Sequence, residues 1–317
     1  MTRYIVRRLA LSVVTLFLLV SAVFLITNVF PSDPGRTIAG PFAPQATVDQ
    51  INETLGTNDP KLDQYGRLLK SVVTFDYGDS YQLRQPVTDL LRPALGRSAK
   101  LVVFALVLTV PLAIVAGMYA ARRRNSFADR AIVTLGVASS SIPEFVSGVI
   151  LQYLIAVQLG WFEPLALAPR GSNLITQLRY LTLPALALVV VYFGYIARMT
   201  RAGTINALDA DYTRTAVMKG LPTGRVMRRH VMRNALQPTV SVIGIQVGYL
   251  FSGIIGLERI FNYPGLGLLI FNAVRAKDFP LLSAAVIVVG IIYMLCTLIA
   301  DLVIAWMNPR ARLEAVR

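Results

Sequence analysis

Six apolar runs constrain the fold of this chain more than any other feature of its sequence. Each has about the 20 residues that a helix needs to cross the hydrocarbon core of a bilayer. A soluble domain is about 25% charged, whereas this chain of 317 residues is 15% charged and 55% hydrophobic. The sequence therefore predicts an all-α polytopic membrane protein with six transmembrane helices, at Val6–Phe30, Lys100–Tyr119, Ala131–Leu159, Leu181–Met199, Pro238–Leu257 and Leu281–Met307.

The first apolar run begins like a signal peptide, because Arg3, Arg7 and Arg8 precede or open it. A signal peptide has an apolar core of about 7–15 residues, followed by a cleavage site of small residues. This run is longer, and no such site precedes the turn that begins at Pro31. We therefore predict a retained first transmembrane helix over residues 1–30.

The distribution of basic residues predicts the orientation of the chain. Cytoplasmic loops of membrane proteins collect Lys and Arg, and residues 198–237 carry eight basic against two acidic side chains. Arg122–Arg124 form a second basic cluster, two connections earlier. These clusters place both termini in the cytoplasm. The net charge of +14 would suggest nucleic acid in a soluble protein, but here it follows the topology, and we expect no nucleic-acid partner.

The predicted helices divide the rest of the chain into segments. We expect residues 31–99 to form an extracytoplasmic loop domain, and residues 308–317 to form a cytoplasmic tail. Residues 100–307 are predicted to form a five-helix core, with a cytoplasmic loop at 200–237. Within the loop domain, Lys61–Thr74 has the apolar periodicity of a helix.

The cytoplasmic loop carries the signals of two short helices joined by a tight turn. The predicted elements are an N-cap at Asp209, a helix over Ala210–Lys219, a left-handed stop at Gly220, a second N-cap at Thr223 and a second helix over Gly224–Leu236, which Pro238 ends.

Ala216 and Gly220 are four residues apart, so we expect them to share one helix face that is nearly free of side chains. Such a face allows close approach of another backbone and suits a groove on a soluble partner. Two other interpretations exist. The loop's charge could serve topology alone, or the two helices could be a DNA-binding helix-turn-helix. Attachment of both ends to the membrane argues against DNA binding.

The loop also resembles a known motif, the cytoplasmic "EAA" loop of ABC-importer permeases. The matching stretches are Asp211–Ala216 (Asp-Tyr-Thr-Arg-Thr-Ala), Lys219–Leu221 (Lys-Gly-Leu) and Arg229–Pro238. They have the form found in the dipeptide/oligopeptide/nickel branch. Further resemblances to that branch lie at Met1–Arg8, Asp33–Gly35, Ser141–Phe145, Leu257–Gly267 and Asn308–Arg310. The long segment after the first helix is similar to that of B-type permease subunits.

This resemblance implies a type I ABC-importer permease fold in the bacterial cytoplasmic (inner) membrane. It implies a heterodimer with a C-type permease subunit, cytoplasmic ABC ATPase subunits, an extracytoplasmic solute-binding protein, and di- or oligopeptides as substrate. Glutathione and a nickel chelate are alternative substrates. The residues that the resemblance assigns to ATPase coupling are Asp211, Tyr212, Arg214, Thr215, Ala216, Lys219, Gly220 and Leu221.

The residues themselves indicate that this chain is not an enzyme. The sequence contains no G-x-x-x-x-G-K-[ST] phosphate loop, so ATP and Mg would be used by partner subunits, and no cofactor is expected on this chain. A single histidine, His230, and a single cysteine, Cys296, exclude a cluster of these two residue types for a metal.

A self-contained ion-coupled carrier or channel is the alternative class. Such proteins carry ionisable groups at membrane depth, and here Glu144 and Asp301 lie well inside apolar runs. Glu144 follows Pro143, which would open the helix locally. It either faces the aqueous translocation path or makes a structural hydrogen bond to a neighbouring helix. Gln246 is a second candidate for the path.

The fifth apolar run carries a seam of small residues at spacings of three and four. Small residues let helix backbones pack closely in a membrane. The seam either packs inside this chain or lies against the paired subunit. Its members are Ser241, Gly244, Gly248, Ser252 and Gly256.

Overall fold

A computed structural model of the protein describes residues 2–29, 33–169 and 171–307. Within these residues the regular elements are all helical, as predicted, apart from one isolated bridge between Asp79 and Pro86. The predicted tail 308–317 lies outside the described residues. The α-helices are α1 Thr2–Val29, α2 Pro34–Ala39, α3 Gln45–Thr54, α4 Lys61–Thr74, α5 Val87–Arg122, α6 Phe127–Ser140, α7 Glu144–Leu151, α8 Leu174–Asp209, α9 Asp211–Met218, α10 Thr223–Val226, α11 Met232–Ile260, α12 Leu266–Ala276 and α13 Phe279–Met307. Gln152–Gln158 and Met227–Val231 are π-helical.

Four of the described helices, α1, α5, α8 and α13, are long and apolar enough to cross a membrane by themselves. Two bent pairs also qualify, each as one broken span. In the first pair, α6 and the helix Glu144–Gln158 meet at 102°; in the second, α11 bends by 49° between Phe251 and Gly253. The number of spans is therefore six if each bent pair crosses once.

The third apolar run is not the single helix that its composition predicts. Helix α6 ends at Ser140, and α7 begins at Glu144 after Pro143, which has the extended ψ of 145°. Proline lacks an N–H and disfavours helical backbone in the residue before it. The helix is therefore fully interrupted here, a stronger effect than the local opening predicted from Pro143.

The chain divides into two compact units. The first comprises the described residues of Met1–Leu9, Lys100–Tyr263 and Leu295–Arg317. Its centre is α8, which other helices approach at glycines. A β-carbon at Gly117 would lie 2.5 Å from the Ala197 carbonyl oxygen, and one at Gly194 would overlap the backbone of Gly136. One at Gly203 would overlap the carbonyl oxygen of Ala235 on α11.

The second unit comprises the described residues of Ala10–Ala99 and Pro264–Met294. The helix predicted over Lys61–Thr74 is confirmed as α4. It packs on α1 through Leu68, Leu69 and Val72, which contact a cluster that includes Val20. The hydroxyls of Ser21 and Tyr65 are 2.6 Å apart and join the same two helices.

A buried carboxylate connects two distant segments of the second unit. Asp278 is 1% exposed and precedes α13. It accepts a hydrogen bond from the Ser80 hydroxyl and others from the N–H groups of Tyr81, at 3.2 Å, and Gln82, at 3.3 Å. A buried charge needs such partners, because an unsatisfied one is costly. The turn after α4 is thereby fixed to the start of α13.

Candidate functional site

The loop 200–237 forms a compact element at the end of α8. Helix α8 runs to Asp209 without a break, Ala210 is extended, and α9 begins at Asp211. The prediction of Asp209 as the N-cap is therefore wrong, because Ala210 occupies that position and makes no side-chain cap. The Asp209 carboxylate instead lies 3.1 Å from Nη1 of Arg124.

The turn after α9 requires its glycine. Gly220 has a φ of +72°, which confirms the predicted left-handed conformation. The Gly220 N–H donates to the Val217 carbonyl at 2.9 Å, and the Leu221 N–H donates to the Ala216 carbonyl at 3.3 Å. These two bonds and the contact between Leu221 and the cluster around Ala216 form a Schellman motif, which satisfies the last carbonyls of the helix.

The second predicted helix differs from the structure at both ends. Pro222, not Thr223, occupies the N-cap position, and the chain stays helical past Pro238 to Ile260. A proline in a helix interior costs about 3 kcal/mol. Contacts on both sides of Pro238 offset that cost: Ala235 packs against Gly203, and the hydroxyls of Thr239 and Thr200 are 3.1 Å apart.

Ala216 does not face outward, and this overturns the predicted bare face. Its exposure is 4%, and it belongs to a core formed by the loop itself. Gly220, by contrast, is exposed, with open space where a β-carbon would be. The two residues therefore do not share an exposed face. The core comprises Ala207, Ala216, Val226, Met227, Val231 and Ala235.

The exposed apolar side chains of α9 are not at Ala216 but at other positions of the helix. Met218 is 88% exposed, Val217 59% and Tyr212 42%. Leu221 is half-buried at the edge of the same turn. The remaining predicted coupling residues are exposed polar side chains on the same short helix and its turn: Asp211, Arg214, Thr215 and Lys219.

Thr213 lies within the matching stretch Asp211–Ala216 but is not among the predicted coupling residues. It is buried, and its hydroxyl donates to the Ala207 carbonyl at 2.6 Å. That carbonyl lies in the last turn of α8, where helices have carbonyls without partners in the helix. Thr213 therefore fixes α9 to the end of α8. The available signal was its position in the sequence: Thr213 lies three residues before Ala216, so the two share the inward face of α9.

The two candidates for the translocation path lie on different elements of the first unit. Glu144 opens α7 and accepts a hydrogen bond at 2.9 Å from the Tyr192 hydroxyl of α8. Its Oε1 lies 2.7 Å from the place of a β-carbon at Gly253, so α11 passes directly beside it. Gln246 is buried on α11. Glu144 thus makes the predicted structural hydrogen bond to a neighbouring helix. It is also half-exposed.

The small-residue seam contacts two elements of its own chain. A β-carbon at Gly244 would overlap that of Ala300 on α13, and one at Gly256 would lie 3.0 Å from Cβ of Phe145 on α7. Gly248 is buried, and Ser241 is half-buried. The side chain of Ser252 lies outside the described part of the chain. Gly244 and Gly256 therefore pack internally.

Comparison with known proteins gives matches along nearly the whole chain. A family model described as "Binding-protein-dependent transport system inner membrane component" matches residues 113–313, and a model of the N-terminal part of such membrane components matches residues 1–101. Neither match depends on the loop alone.

Several curated relatives are 33% identical to the chain. A probable peptide ABC transporter permease protein of Sinorhizobium fredii aligns over 98% of this chain and 99% of its own length. A putative peptide transport system permease protein of Brucella abortus aligns over 99% and 100%. A glutathione transport system permease protein of Escherichia coli aligns over 98% and 99%.

Proposed function

The chain belongs to the family of binding-protein-dependent transport system inner membrane components, and on this basis we propose that it is the B-type permease subunit of an ATP-driven importer. In this proposal it pairs with a C-type permease subunit, receives substrate from an extracytoplasmic solute-binding protein, and is driven by ATPase subunits that use ATP and Mg. It spans the inner membrane six times with both termini cytoplasmic. The alternation of basic connections supports that orientation.

We propose di- or oligopeptides as the substrate class. Two of the relatives named above are described as peptide permeases, and a third as a glutathione permease. Glutathione is itself a small peptide, so the three names share the amide backbone as their common chemistry. A nickel chelate is the remaining alternative.

The observation that carries the proposal is the folded loop at the end of α8. Its own core, the Schellman turn at Gly220 and the bond from Thr213 give α9 a fixed shape. That shape presents Met218 and Tyr212 to solvent. Large exposed apolar side chains on an ordered element are typical of a protein interface. We infer that α9 is the docking helix that binds the ATPase subunit.

Replacing Met218 with alanine tests this assignment. Burying a methionine side chain at an interface is worth about 1.5–3 kcal/mol, so its loss is expected to weaken ATPase binding by about 10- to 100-fold. The measurement is the amount of ATPase subunit that co-purifies with the permease over a titration of salt and detergent, together with substrate uptake.

Phe127→Ala is the matched control. Phe127 is also 88% exposed, but it lies at the start of α6, outside the loop. We expect this variant to retain its ATPase subunits. Equal ATPase binding in wild type and Met218→Ala would contradict the docking role of α9.

Glu144 is proposed to contribute to the translocation path through its half-exposed carboxylate. The hydrogen bond from Tyr192 fixes Oε1 of Glu144, and this oxygen lies beside the backbone of α11. Glu144→Gln keeps the size and hydrogen-bonding capacity of the side chain and removes the charge. We expect uptake to fall or the preference among peptides of different charge to change. If uptake and preference both match wild type while the matched variant Tyr192→Phe also has no effect, Glu144 has no role in the path.

A further inference from the structure

An ion pair with a buried carboxylate joins α8 to the start of α6. Nε of Arg201 lies 2.5 Å from Oδ1 of Asp129, and Nη2 lies 2.7 Å from Oδ2, so the contact is bidentate. The Asn125 N–H also donates to Oδ2, at 2.9 Å. The Asp129 side chain is 3% exposed and that of Arg201 27%. A bidentate pair fixes geometry as well as charge.

The same two helices meet at a second point. Gly136 of α6 and Gly194 of α8 are in backbone contact, and the Cα of Gly194 lies 3.0 Å from the place of a β-carbon at Gly136. Gly136 is seven residues after Asp129, and Gly194 is seven residues before Arg201. Seven residues are two helical turns, about 10 Å. The two helices are therefore antiparallel and are held in one register at two points, so that neither can slide along the other.

Helix α8 continues from this pair into the docking helix. Asp209 is eight residues after Arg201, and only the extended Ala210 lies between α8 and α9. The bond between Thr213 and Ala207 removes freedom from that joint. At the other end, α6 leads through the break at Pro143 to α7 and Glu144. Force applied to α9 can therefore reach α6 through Asp129 and Arg201.

We propose that Asp129 and Arg201 are positioning residues that transmit movement of the docking helix to the broken helix pair α6–α7. The proposal rests on the proposed function, since it requires an ATPase that moves α9. It assigns to the pair a role in coupling rather than in ATPase binding. A nearby exposed pair, Arg124 with Asp209, has both side chains at least half-exposed and so gives little fixed geometry.

The test uses the assembled importer in proteoliposomes, with the variants Asp129→Asn, Arg201→Gln and the double variant. Uptake, ATP hydrolysis and the amount of bound ATPase subunit are measured on the same samples. We expect each single variant to keep its ATPase subunits and its basal hydrolysis, while the number of substrates transported per ATP falls at least tenfold. Residues that act as one pair are non-additive, so the double variant should be no worse than the poorer single variant.

Conservative and control variants make the result specific. Arg201→Lys keeps the charge but not the bidentate geometry, so its coupling should lie between wild type and Arg201→Gln. The exposed pair, neutralised as Arg124→Gln with Asp209→Asn, should stay within about twofold of wild type, as expected of a solvent-exposed ion pair. Equal losses in the exposed pair would indicate a general effect of charge and would overturn the proposal.

Folding defects are separable from coupling defects. Removing one partner of a buried pair leaves an uncompensated charge, whereas removing both does not; the double variant is therefore informative even where a single variant fails to fold. Normal transport per ATP in the folded double variant overturns the proposal, as does a loss of uptake that only parallels loss of bound ATPase. If Met218→Ala keeps its ATPase, the docking role of α9 fails, whereas the coupling ratio of the Asp129 variants still reports on the pair.

Discussion

Alanine at Gly194 is expected to remove most of the detergent-stable protein, because Gly194 makes the closest backbone approach among the described glycines. Its β-carbon would overlap the backbone of Gly136, so α6 and α8 would have to separate. Overpacking typically costs about 1–3 kcal/mol, and a clash between two backbones belongs at the upper end, since no side chain can rotate away. The measurement is the amount of monodisperse protein recovered from membranes and its thermal unfolding temperature.

Gly96→Ala is the control for this prediction. Gly96 also lies within a helix, but apart from its neighbours in that helix no atom lies within 4 Å of the place of its β-carbon. Alanine favours helix over glycine by about 1 kcal/mol, so this variant should be as stable as wild type or more so. Recovery of Gly194→Ala at the level of Gly96→Ala would show that α6 and α8 do not approach at this glycine.

Tryptophan at Ala216 is expected to abolish uptake by unfolding the loop rather than by blocking its surface. Ala216 is 4% exposed among Val226, Met227 and Val231, and this core has no room for an indole ring. The turn at Gly220 would lose its packing, and ATPase subunits should no longer co-purify. Limited trypsin digestion of inside-out vesicles measures the unfolding, because it should cut the loop rapidly at Arg225 and its neighbours.

The same digestion distinguishes the two ways in which the docking helix can fail. Met218→Ala removes an exposed side chain and leaves the core intact, so its trypsin sensitivity should equal that of wild type even though ATPase binding falls. Wild-type protease resistance in Ala216→Trp, with ATPase subunits bound, would mean that position 216 is not part of the loop's core.

Local signals in the sequence were sufficient where one residue type decides the backbone. Glycine is the only residue type that enters the left-handed region at no steric cost. The left-handed turn that the sequence predicts at Gly220 is confirmed. The periodicity over Lys61–Thr74 likewise gave α4 with its observed bounds. In both places the decisive interactions lie within a few residues of each other along the chain.

Local signals failed where tertiary contacts decide. Helical spacing groups Ala216 with a small-residue face, but it cannot tell whether that face meets solvent or the Val226–Val231 segment. Pro238 is a helix stop in isolation, yet the contacts of Ala235 and Thr239 with α8 hold the helix through it. The pairing of Asp129 with Arg201 joins residues 72 positions apart, a separation that no periodicity reports.

Because α8 is one continuous helix up to Asp209, the number of residues in its last part is itself constrained. Its 36 residues extend about 54 Å at 1.5 Å per residue, longer than the roughly 30 Å hydrocarbon core. One residue added or deleted between Arg201 and Asp209 would rotate everything beyond it by about 100°, and Met218 would then point to another side of the molecule. Exposed side chains in this stretch can therefore be substituted, whereas the number of residues between Arg201 and Asp209 cannot change without rotating α9 about the helix axis.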